Sequence, residues 1–121
     1  MAVRERPSQT RAWRWTAYSG VALLVLLTVH MVAHHFVVEG TGGLRTYEQV
    51  LDYIATPVIL VVECLFLVAI TIHAMLGLRS VLLDLGTSDR GRARVNRWLT
   101  VLGTLTVAYG LFLVLTLASR A

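Results

Sequence analysis

Three stretches of this chain, 16–38, 56–85 and 97–119, are apolar almost throughout, and polar residues gather between them. Each stretch reaches the ~20 residues that an α-helix needs to cross ~30 Å of hydrocarbon. The pattern predicts an all-α membrane protein with three transmembrane helices at 16–38, 56–85 and 97–119, preceded by a polar arm over 1–15. Within that arm, Met1 to Thr10 read as a surface segment before the membrane. Between the first two spans, Gly40, Gly42 and Gly43 open a loop, and Leu44 to Ile54 form a candidate interfacial helix before Pro57 starts the second span. Gly86, Thr87, Ser88 and Gly91 break the second helix from the third. The first apolar run is longer than the 7–15 residues of a signal-peptide core. No small-x-small cleavage site follows it, so it is expected to remain as a span.

Composition sharpens this picture. Of 121 residues, 56% are hydrophobic, and the mean hydropathy is +0.69, too apolar for a soluble domain of this size. All eleven basic residues are arginine. Arg4, Arg6, Arg11 and Arg14 precede the first span and Arg90, Arg92, Arg94 and Arg97 crowd the second loop, whereas the first loop sets Arg45 against Glu39, Glu48 and Asp52. The positive-inside rule then predicts a cytoplasmic N-terminus and second loop, with the first loop and the C-terminus outside. Trp13, Trp15, Tyr18 and Trp98 are placed as interfacial anchors on the inner side. The basic rim suits anionic lipid, and nucleic-acid binding is not suggested. Cys64 is alone, which excludes a disulfide framework and a cysteine metal site. Gly103, Thr106 and Gly110 form a small-residue stripe suited to close helix packing.

The candidate chemistry lies inside the spans. An imidazole or carboxylate in hydrocarbon is costly unless paired or ligated. With the first helix leaving the inner surface near Arg14 and the second returning near Ser80, a rise of ~1.5 Å per residue puts His73 roughly 10 Å deep, His30 roughly 24 Å and Glu63 roughly 25 Å. Haem iron in electron-transfer cytochromes takes two axial ligands, often imidazoles from different helices. His30 and His73 stand too far apart to share one iron, so each supplies half a site that a partner chain or a second copy must complete. A hydrogen-bonded packing role is the alternative for each. Gly77, one turn from His73, leaves room for a porphyrin plane, and Gly20 could do the same on the first helix. His34 and His35 fall near the outer interface, where solvated or lipid-facing roles are expected. Glu63 either hydrogen-bonds His34 or a neighbouring helix, or moves protons.

The segment His73-Ala74-Met75-Leu76-Gly77-Leu78-Arg79-Ser80-Val81-Leu82-Leu83-Asp84 resembles the second-helix motif of the small cytochrome b membrane anchor subunits of succinate dehydrogenase, also called succinate:quinone oxidoreductase or respiratory complex II. That pattern is a histidine, a glycine four residues later and an aspartate eleven residues on. The resemblance implies that His73 is an axial ligand of haem b, that Asp84 lies at a quinone pocket, and that Arg79 pairs with a haem propionate. The family often has tyrosine after that aspartate, and this chain has Leu85. Tyr18-Ser19-Gly20 resembles the family's arginine-serine-glycine element at the start of the first helix, which makes Ser19 a candidate for quinone or propionate contact. Two-haem relatives carry a further histidine ligand about ten residues after such a glycine, and His30 holds that position relative to Gly20. The implied cofactors are one or two haem b groups shared with a companion cytochrome b anchor subunit, and a quinone, with menaquinone favoured by the two-haem pattern. Glu63 would then take up or release a proton beside the outer haem.

The resulting expectation is a multi-pass anchor in a bacterial cytoplasmic (inner) membrane, part of a heteromeric helix bundle, tethering an iron–sulfur subunit and a flavoprotein subunit. Two rivals stand beside it. One is a cytochrome b subunit of another membrane dehydrogenase, and the other is a haem-free structural or transport subunit whose histidines pack or move protons.

Overall fold

The computed structural model describes residues 7–36 and 45–121, with side chains from Thr10 onward. Residues 1–6 of the expected arm, and residues 37–44 with Glu39 and the loop glycines, lie outside the described residues. Four helices follow in order: α1 (Pro7–His35), α2 (Tyr47–Ala55), α3 (Pro57–Asp84) and α4 (Asp89–Ala118). Three segments, Thr10–His35, Pro57–Asp84 and Asp89–Ala118, are long and apolar enough to cross a membrane, matching the three expected spans.

The helix boundaries differ from the apolar boundaries at the arginine-rich end. α1 begins at Pro7 and α4 at Asp89, each well before its apolar run. The start of α4 has a local cause. Ser88 caps α4 by accepting the Gly91 N–H at 3.2 Å, and Asp89 in the first turn complements the helix dipole. Gly91, expected in the loop, therefore belongs to the first turn of α4. Hydropathy locates the lipid-crossing part of a helix, whereas caps and dihedral preferences locate its end.

α2 is set by a complete capping box: Thr46 Oγ1 accepts the Gln49 N–H at 3.3 Å, and the Gln49 side chain accepts the Thr46 N–H at 2.9 Å. Such a cap contributes ~1 kcal/mol. Thr56 then separates α2 from α3, with Pro57 in the first turn of α3. α3 ends where Gly86 takes φ +81°, a left-handed conformation that glycine reaches without steric cost.

α3 is central. It packs along α1 on one side and α4 on the other, α2 lies across the ends of α3 and α4, and α1 and α4 do not meet among the described residues. The contacts run antiparallel: Ser19 meets His73 and His30 meets Glu63 between α1 and α3, while Arg79 meets Asn96 and Gly103 meets Met75 between α3 and α4. The starts of α1 and α4 and the end of α3 therefore share one end, with Arg11, Arg14, Arg79, Arg90, Arg92, Arg94 and Arg97. This arginine end lies opposite the α2 end.

The small-residue stripe is split by the packing. A β-carbon on Gly103 would stand 3.2 Å from Met75 Cγ, and one on Gly110 would stand 2.5 Å from Leu67 Cδ2. Those two glycines let α3 and α4 approach, while Thr106 is exposed and returns its hydroxyl to the Leu102 carbonyl at 2.8 Å. Thr16, Thr28, Thr71, Thr100 and Thr116 make the same bond to the carbonyl four residues back, which satisfies each hydroxyl within its own helix. Little of the chain is buried: Leu51, Leu99, Ser19, Thr71 and Gly103 are the buried residues among those described. Such sparse burial is foreign to a water-soluble core and ordinary for helices whose outer faces meet lipid or other helices.

Candidate functional site

The α1–α3 seam holds two polar sites separated by apolar turns. At the arginine end, His73 of α3 faces Ser19 of α1, with Nδ1 3.1 Å from Ser19 Oγ. Ser19 is only 8% exposed. Its hydroxyl also lies 3.0 Å from the Thr16 carbonyl oxygen, which can only accept. One hydroxyl proton cannot serve both, so it goes to the carbonyl and the oxygen accepts the His73 Nδ1–H. Gly20 completes the seat: a β-carbon there would stand 3.4 Å from His73 Cε1. The imidazole thus rests against glycine backbone, and its Nε2 makes no hydrogen bond among the described residues.

Toward the α2 end, His30 of α1 faces Glu63 of α3, with Nδ1 2.8 Å from Oε1 and 2.9 Å from Oε2. The carboxylate accepts this Nδ1–H, and Nε2 again makes no hydrogen bond among the described residues. His34, one turn along, brings Nε2 to 3.5 Å from Glu63 Oε1, and its ring lies 4.3 Å from that of His30. Phe66 covers the other side of His30 at 5.0 Å between centroids. From the interface side, Tyr53 of α2 meets the His34 ring edge-on at 4.6 Å, and the Arg45 guanidinium stacks 4.0 Å over the Tyr53 ring while donating to the Ala33 carbonyl at 2.9 Å. The buried Tyr53 hydroxyl has no hydrogen-bond partner among the described residues. Burial and the negative charge of Glu63 push it above its ordinary value of 10.0, and Arg45 pulls the other way.

Eleven residues separate Ser19 from His30 on α1, and ten separate Glu63 from His73 on α3. At ~1.5 Å per residue the two sites are about 15–17 Å apart along the helices, close to the separation of the two depths read from the sequence.

Other expected site residues stand elsewhere. Arg79 turns to α4, where Nε donates to Asn96 Oδ1 at 2.7 Å at the mouth of an apolar groove of about 840 Å³ between α3 and α4. Neither His73 nor His30 lines that groove. Asp84 is the last residue of α3 and is exposed, as is Leu85. Gly77, one turn beyond His73, has nothing within 4 Å of a β-carbon position, which leaves open space on that face. His35 is exposed.

Sequence reasoning matched Glu63 with His30 by depth but overlooked Ser19 as the partner of His73. The same depth arithmetic contained that signal, since Ser19 and His73 both lie within the first turns from the arginine end. Tyr53 and Arg45 left no such signal, because their approach depends on how α2 folds back.

His30, His34 and Glu63 offer ligand atoms within 4.8 Å of one another, so that cluster has the donor set of a small metal site as well as of a hydrogen-bonded one. The haem reading meets a separate test. An axial imidazole needs its Nδ1–H held and its Nε2 unengaged, and both His73 and His30 satisfy this among the described residues. Among the described residues, no other imidazole is in ring contact with His73, and the neighbour of His30 is turned to Glu63. The donor set of each imidazole fits one ligand of a haem.

Fold and site together define a helical membrane subunit that presents imidazoles at two levels along one helix seam, His73 at one and His30 with His34 at the other. The chain belongs to the family described as succinate dehydrogenase/fumarate reductase transmembrane subunit, whose profile matches residues 3–117. It is similar to the succinate dehydrogenase hydrophobic membrane anchor subunit of Archaeoglobus fulgidus, with 29% identity over 106 residues covering 88% of each chain. A protein of the same description from Thermoplasma acidophilum is 26% identical over 102 residues, which cover 84% of this chain and 81% of that one.

Proposed function

We propose that this chain is a haem b-binding anchor subunit of a succinate:quinone oxidoreductase in a bacterial cytoplasmic membrane. It pairs with a companion cytochrome b anchor subunit and tethers iron–sulfur and flavoprotein subunits at the arginine end. Family membership and the two similar anchor subunits support the anchor role. The observation that carries the haem reading is the seat of His73: Nδ1 3.1 Å from a buried serine, glycine backbone against the ring, and a free Nε2.

In this reading His73 would hold one haem at Nε2 and His30 a second, with the companion subunit supplying the other ligand of each. Haem supplies one-electron chemistry, and this chain supplies ligation, orientation and a water-poor bundle. Gly77 leaves space for the macrocycle beside His73. Asp84, exposed at the arginine end, belongs to the quinone pocket near the iron–sulfur subunit, and menaquinone is the quinone we favour. Arg79 remains available to a propionate only if it leaves Asn96. Ser19 is engaged on both sides, so its role falls on His73 rather than on quinone. Glu63 is the group placed to accept a proton when charge changes beside His30.

The reduced-minus-oxidised spectrum of the purified complex tests this. Two b-type haems per complex are expected, with His73→Ala and His30→Ala each removing one. A colourless complex overturns the proposal in favour of a structural subunit. Haem without a co-purifying flavoprotein points to a cytochrome b of another dehydrogenase.

A further inference from the structure

We infer that Ser19 and Glu63 are positioning residues that grade the two imidazoles as iron ligands, with a hydroxyl behind His73 and a carboxylate behind His30. This rests on the reading that each histidine meets a haem iron. The two imidazoles share one residue type, one helix pair and one free nitrogen, and they differ in what holds Nδ1.

Behind His73, the Ser19 hydroxyl donates to the Thr16 carbonyl, and its oxygen accepts Nδ1–H as a neutral group. Behind His30, both oxygens of Glu63 converge on Nδ1 at 2.8 and 2.9 Å. The Glu63 side chain is only 14% exposed, and its Oε1 is braced by His34 Nε2 at 3.5 Å. A hydrogen bond to a carboxylate is roughly twice as strong as one between neutral groups. The carboxylate draws the proton from the ring, raises electron density at Nε2 and makes the ligand more basic. Stronger donation favours ferric over ferrous iron, which lowers the potential of the haem on His30. The serine does this only weakly, and its main effect is to fix the ring plane and tautomer of His73.

Glu63→Gln keeps the shape of the side chain and removes its charge, so it separates charge from packing. Potentiometric titration of the intact complex is expected to show the His30 haem reduced about tenfold more readily, ~59 mV higher for a one-electron couple. The His73 haem should keep its midpoint. Glu63→Asp should recover part of the shift. Ser19→Ala should shift the His73 haem by less than the glutamine variant shifts its own, and broaden that haem's low-spin electron paramagnetic resonance signal as the ring loses its stop. Two haems whose midpoints and signals ignore both Glu63→Gln and Ser19→Ala overturn this inference and leave the ligation reading standing. Retention of both haems in His30→Ala overturns the ligation reading for His30, and the Glu63 half falls with it. The Ser19 arm is then judged separately on the His73 signal.

Discussion

The two ends of the α1–α3 seam solve one problem in different ways. At the arginine end a single imidazole is seated on small residues, Ser19 and Gly20, with an uncharged partner. Toward the α2 end the imidazole belongs to a cluster in which Glu63 faces His30 and His34, Phe66 lies beside His30, Tyr53 meets His34 and Arg45 stacks on Tyr53. The first arrangement is geometric, since room is made and a ring is held. The second is electrostatic, since a carboxylate in hydrocarbon is tolerated because two imidazoles face it. A seat of small residues is sensitive to added volume, whereas a charged cluster is sensitive to removed charge.

The largest effect expected from breaking this contrast follows from added bulk at the seat. Gly20→Leu should displace the His73 ring and abolish one haem band, while Gly20→Ala, whose β-carbon meets the ring at an ordinary 3.4 Å, should retain it. Pyridine haemochrome content of the complex reads both. Retention of full haem by the leucine variant would show that Gly20 does not shape the site. The mirror experiment removes a partner at the other end. Glu63→Leu should cost ~1.5–3 kcal/mol of stability by removing the charged hydrogen-bond partner of His30, seen as an earlier thermal loss of the complex, and it should disturb the His30 band rather than the His73 band.

A smaller effect is expected on the α3–α4 side, away from both histidines. Gly110→Leu forces volume against Leu67 and should cost ~1–3 kcal/mol in thermal unfolding of the complex with both haem spectra unchanged. A change in the spectra would mean that α4 holds the sites indirectly. The smallest effect concerns Tyr53. Its raised value means that the folded protein favours the neutral phenol, so its contribution is fully present below pH 10.0 and is lost as pH rises through the folded value. Ultraviolet titration of tyrosinate should show a late component that Tyr53→Phe removes.

Much of this was legible in the sequence, and particular residues show why. Span count followed from apolar length, and the pairing of His30 with Glu63 followed from depth, because antiparallel helices of known rise bring equal depths together. Ser19 was weighed only through its neighbours in the chain, and its spatial neighbour is His73, 54 residues away. Arg79 was grouped with His73 by proximity in sequence, but six residues along a helix turn the side chain to another face, and it meets Asn96 instead. Hydropathy is silent about helix that extends beyond the hydrocarbon, and α1 and α4 both reach past their apolar runs at the arginine end.

The chain alone determined its solvent, its three crossings, the clustering of arginine at one end and the levels at which imidazole and carboxylate lie. Those are consequences of composition and of a fixed rise per residue, which need no knowledge of neighbours. Tertiary structure decided which nitrogen of each histidine is held and by what: a hydroxyl at His73, a carboxylate at His30. That choice depends on helix rotation about its own axis, and apolar spans that bury so little against one another do not encode rotation in their hydrophobic pattern; only the packed seam reveals it.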